Sequence, residues 1–140
     1  VVSDWFVASR INGEVQGEVF KKYLVTWTPT VIIMDTEGRG HFRFNGFLSP
    51  RDLSARLILD GAKTELNLGN FSLATKCFDE VVEKYPDTFA VPEATYYLAA
   101  ARFLADHEPK ILKESLQQLK DNFPDSEWIL RSKPYELIGK

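Results

Sequence analysis

Pro29 stands just before the apolar run Val31-Ile32-Ile33-Met34, and that junction limits the fold more than any other feature. Proline has no N–H to give to a strand ladder, so it belongs ahead of a strand and not inside one. The run is continuous and does not alternate, which is the pattern of a strand covered on both faces. It predicts a strand over Thr30 to Asp35. Glu37-Gly38 then turns the chain into His41-Phe42-Arg43-Phe44-Asn45, whose period of two marks a half-buried strand, and Gly46 ends it. Ser49 reads as a helix cap, with Pro50 at the first helical position and Asp52 in the first turn. Leu53, Leu57 and Ile58 form the inward stripe of that helix. Upstream, Trp5 to Ile11 is rich enough in aromatic and β-branched residues for a strand, closed by Asn12-Gly13. Glu14 to Tyr23 reads as a short helix with Val15, Val19, Phe20 and Tyr23 on one face. Residues 1–60 thus form a mixed α/β part.

From Asp60 onward the pattern holds no strand. Leu66 to Phe71 ends one helix at Gly69 and begins another, as an αα-hairpin does. Ala74, Phe78, Val81, Val82 and Tyr85 continue on one helical face until Pro86-Asp87. A second pair follows, Ala94 to Leu104 and Lys110 to Phe123. Lys84-Tyr85-Pro86-Asp87-Thr88 recurs as Asn122-Phe123-Pro124-Asp125-Ser126, so the two pairs are an internal repeat. That offset aligns Phe78 with Leu116, Ala74 with Leu112 and Ala62 with Ala100. All six are expected to be buried between antiparallel helices. In Gly69, Asn70, Phe71, Ala74, Phe78 and Pro86 the first unit resembles the tetratricopeptide repeat. The second departs from it, with His107 and Pro109 in place of the turn glycine and the aromatic. Two units fall short of a free-standing solenoid, so residues 61–140 are expected to lean on residues 1–60. The fold class is α/β followed by all-α.

Charge and cysteine usage narrow the function. The chain has 140 residues, enough for one domain or two small lobes, with 17 basic and 20 acidic side chains. Neither part has the basic excess that phosphate neutralisation needs, which argues against nucleic acid. No apolar run approaches the ~20 residues of a membrane-spanning helix, so no membrane partner is expected. Cys77 is the single cysteine, so no internal disulfide can form and no Cys-x-x-Cys is present. His41, His107 and Cys77 are too scattered for a metal site, and no cofactor is expected. Cys77 reads as a small buried hydrophobe. Asp35, Glu37 and Asp52 read as turn and cap residues. No nucleophile, base and orienting group share a recognised spacing, so no catalytic residue is assigned.

In order, the segment from Phe20 to Asp35 with Trp27-Thr28-Pro29-Thr30 at its centre, then Glu37-Gly38, Gly46 and the helix from Ser49, resembles the second half of a thioredoxin. The likeness covers roughly residues 5–60. It implies a cis Thr28–Pro29 bond and a loop that meets an extended substrate peptide, with Thr28 as the pairing residue, Pro29 shaping the loop and Trp27 flanking it. The dithiol of that family would lie upstream of this chain, together with the central strand of the sheet. The resemblance therefore implies the C-terminal portion of a thioredoxin-like thiol–disulfide oxidoreductase that by itself cannot catalyse exchange. The alternative is a non-enzymatic protein-interaction scaffold built on the helical repeats. Either way the expected partner is a protein or peptide. The gap in the sheet leaves exposed strands through which the chain is expected to form a homodimer. One unpaired thiol and the lack of an export signal point to the cytoplasm.

Overall fold

A computed structural model describes residues 5–140. They form a mostly helical chain with one small antiparallel sheet, α/β at the start and all-α after it. Asn12 sets the turn that leads into a helix. Its side chain accepts the Glu14 N–H at 3.0 Å, and its own N–H reaches the Gln16 side chain at 3.2 Å. This turn shortens the helix α1 to Gly17–Lys22, so Val15 is left out of it and exposed. The strand β1, Thr30–Met34, pairs with β2, Gly40–Asn45, with Ile32 opposite Arg43 and Ile33 opposite Phe42. Asp35 builds the turn between them, accepting the Glu37 and Arg39 N–H groups on Oδ1.

The strand expected at Trp5 to Ile11 is not there. Phe6 to Asn12 lie outside any helix or strand, and the sheet has only two strands among the described residues. β-Propensity is a preference for a pleated, half-buried surface, and this segment has none. Val7 is fully exposed, and only Phe6 and Ile11 are partly covered. Phe6 packs on a helix instead. A Cβ at Gly61 would come within 2.9 Å of its ring, so the close approach needs glycine at that position. Residues 1–4, the start of the expected first part, lie outside the described residues.

The helix α2, Pro50–Asn67, begins as its cap predicts, with Ser49 Oγ accepting the Asp52 N–H at 3.1 Å. It runs unbroken through residue 60, so the closing helix of the α/β part and the first helix of the repeat are one element. Gly69, with φ +82°, turns the chain into α3, Phe71–Lys84. The second pair is α4, Ala90–Asp106, and α5, Lys110–Asn122. His107, at the position equivalent to Gly69, adopts the same left-handed conformation at φ +58°. The turn geometry is therefore kept where the residue type is not. A short helix α6, Glu127–Ser132, and a 3-10 turn, Lys133–Leu137, close over α5, neither of them expected from the sequence.

The core lies among the helices. Ala55, Leu59, Ala62, Ala74, Phe78 and Val81 are closed to solvent where α2 meets α3, and Ala90, Ala94 and Ala101 extend the cluster along α4. Small residues let these backbones approach, while Phe78 fills the remaining space and stacks on Tyr97 at 6.0 Å. Leu112 and Leu116 are buried as expected. Ala100 is not; it is only half-buried, and Ala94 and Ala101 face α3 in its place. Successive helical residues are ~100° apart, so a one-residue offset moves a side chain off the packed face. In residues 5–49 the only buried apolar side chain is Ile33. The sheet part therefore has no core of its own and rests on α2.

Candidate functional site

Trp27, Thr28 and Pro29 are brought together in one exposed loop between α1 and β1, and the Thr28–Pro29 peptide is cis. Three contacts fix the loop. Leu24 adopts φ +52°, and the Val25 N–H returns to the Phe20 carbonyl at 2.8 Å, which ends α1. Thr30 Oγ1 donates to the Trp27 carbonyl at 2.6 Å. The Gly46 N–H donates to the Pro29 carbonyl at 2.9 Å, tying the loop to the end of β2. Among the described residues the Thr28 N–H and carbonyl have no hydrogen-bond partner. An exposed backbone residue with both groups free, set beside a strand, can accept an extended peptide by main-chain pairing.

The same junction carries an aromatic residue that the periodicity did not single out. Phe47 follows Gly46 and is 86% exposed, while Trp27 is 70% exposed. With Leu24 and Pro29 they give the rim of the loop an apolar character. Phe47 falls on no helical or strand face; its only signal in the sequence is an aromatic side chain between Gly46 and Pro50.

Two features bear on chemistry. Cys77 lies inside α3, 4% exposed, and burial pushes its thiol up to about 11. It is held as a protonated core residue and not as a nucleophile. On the hairpin, Asp35 Oδ2 pairs with His41 Nε2 at 3.0 Å and with Arg39 Nε at 2.7 Å. The His41 contact first, and Arg39 second, hold the Asp35 carboxyl well below the usual carboxylate range. Asp35 is thus a turn residue, as its position predicted, and also orients a histidine, which the sequence did not reveal. No hydroxyl or thiol is bonded to that histidine among the described residues. Among the described residues no group of three metal-ligating side chains occurs, and no helix is long and apolar enough to cross a membrane.

No family model matches the chain, and neither the curated proteins nor the solved structures include one similar to it.

Proposed function

We propose that this chain is the C-terminal portion of a thioredoxin-like thiol–disulfide oxidoreductase family protein. In that reading it supplies the peptide-facing loop and part of the sheet, while the redox dithiol lies upstream. The helices from α2 onward are then a tetratricopeptide-like tail that carries the sheet. One observation carries the reading. β1 is apolar on both faces, yet among the described residues it pairs with β2 alone. A strand of this composition belongs in the interior of a sheet, where both of its edges are paired. The reading gives the second edge to an upstream strand and the site beside Thr28 to the dithiol that follows it. The exposed Trp27, Thr28, Pro29 and Phe47 then form the surface on which a substrate peptide lies. A reducing compartment such as the cytoplasm suits the lone buried thiol of Cys77.

The scaffold alternative is the weaker of the two. It needs the faces of the helical pairs open to a partner peptide, and β2 already covers part of α2. Phe42 and Phe44 sit against Lys63 and Arg56 of α2, and Lys63 reaches on to Glu93 and Tyr97 of α4.

The coding sequence upstream of Val1 tests the proposal. A strand followed by Cys-x-x-Cys within one domain length, about 100 residues, is the expected result. An upstream domain of that length with no cysteine pair would sink it.

A further inference from the structure

A second concave site adjoins the Trp27–Pro29 loop, meeting it at Leu24. It is a cleft of about 300 Å³ between the C-terminal end of α1 and β2, lined chiefly by Lys22, Tyr23, Leu24, Ile32, His41 and Arg43. Three of these side chains are basic and no carboxylate lines the cleft. The nearby acids are engaged elsewhere. Glu18 pairs with Lys21 at 3.0 Å, and both oxygens of Asp35 are taken by Glu37, Arg39 and His41. Among the described residues neither Lys22 nor Arg43 has a carboxylate partner.

The basic groups are also positioned. Arg43 Nη2 donates to the Tyr23 carbonyl at 2.7 Å, which fixes the guanidinium over the end of α1; among the described residues its other N–H groups have no partner. Lys22 Nζ stands 5.2 Å from the centroid of the Tyr23 ring. His41, 16% exposed, is held by Asp35. Charged donors anchored by second contacts bind an anion at a lower ordering cost than free surface lysines. The rest of the lining is apolar: the Tyr23 ring, Leu24, which is 76% exposed, and Ile32.

We propose that this cleft binds the oxyanion group, phosphate or carboxylate, of a small ligand whose apolar body rests on Tyr23, Leu24 and Ile32. Lys22 and Arg43 hold the charge, and His41 closes the rim.

Phenyl phosphate and benzoate serve as the two anionic probes and benzyl alcohol as the uncharged one, each titrated into the full chain while backbone amide signals are followed by NMR. At least one anion should shift the signals of residues 22–24 and 41–43 saturably, and the tighter of the two identifies the headgroup. Lys22→Gln and Arg43→Gln should each weaken that binding about tenfold, the effect of losing one charge-assisted contact. Lys22 is exposed and makes no packing contact in the core, so Lys22→Gln keeps the test valid if Arg43→Gln perturbs the hairpin. The proposal is overturned if neither anion saturates, if benzyl alcohol shifts the same signals as strongly, or if a folded Lys22→Gln variant binds like the parent.

Discussion

The Lys63 ammonium lies 4.3 Å from the centroid of the Phe42 ring and 2.6 Å from Glu93 Oε1, so one side chain joins the hairpin to α2 and α4. Its other neighbour is Asp60, fully buried, which also accepts from Arg56 Nε at 2.7 Å. The four charges balance; Phe42 and Tyr97 present aromatic faces to Lys63, and Phe44 does so to Arg56. Removing one member of a buried charge set leaves its partners uncompensated, which costs more than the pair contributes. Lys63→Ala is therefore expected to lose ~3 kcal/mol in denaturant unfolding. A double-mutant cycle with Phe42→Ala should return a coupling of about 0.5–2 kcal/mol, since the two side chains touch. Additive effects would mean that the hairpin does not sit on α2.

Phe78 is closed to solvent and central to the helical core. Phe78→Ala should cost ~3–5 kcal/mol, the transfer term plus the cavity left behind. A loss below about 1 kcal/mol is a surface-like response and would contradict the placement of α3 between α2 and α4.

His107 ends α4 in the left-handed region, where a Cβ is unfavourable and glycine is not. His107→Gly is expected to raise stability by about 0.5–1 kcal/mol after the entropy cost of glycine in the unfolded chain is deducted. Thermal unfolding of the two proteins side by side reads this directly. A destabilised variant would show that the contact of His107 with Phe103, 6.4 Å between ring centroids, outweighs backbone strain.

Asp35 has a folded-state pKa depressed by His41 and Arg39. A depressed carboxyl stabilises the fold above its unfolded value, about 4, and that contribution is lost as the pH falls toward the folded value. Asp35→Asn should therefore be less stable than the parent at neutral pH, and the gap should narrow on acidification below about pH 4. A gap that stays constant down to strongly acidic pH would mean that the carboxylate charge plays no part in holding the turn.

Where the sequence was legible, the signals were local. Pro29 before an apolar run placed β1, Ser49 with Pro50 and Asp52 placed the start of α2, and Gly69 placed the break between α2 and α3. Each of these features acts on its own few residues. What escaped depends on partners distant in the chain. Phe6 to Ile11 has strand composition, but pairing needs a free edge within reach, and Phe6 found Gly61 instead. Arg56, Asp60 and Lys63 fall on one polar helical stripe that pattern alone assigns to solvent. The aromatic side chains of β2 cover them, and α4 supplies Glu93. Trp27, Thr28 and Pro29 are neighbours in the sequence and so share one loop, whereas Phe47 joins it only through the hydrogen bond between Gly46 and Pro29.

The most direct measurement is reduction of a protein disulfide by the 140-residue chain and by the longer, dithiol-bearing protein that the proposed function calls for. The 140-residue chain should be inert, because its single thiol is buried and protonated. The longer protein should turn the substrate over, keep its activity in Cys77→Ala, and show a raised KM when Trp27 or Phe47 becomes alanine. Turnover by the 140-residue chain that disappears in Cys77→Ala, or a longer protein with no activity, would contradict the assignment.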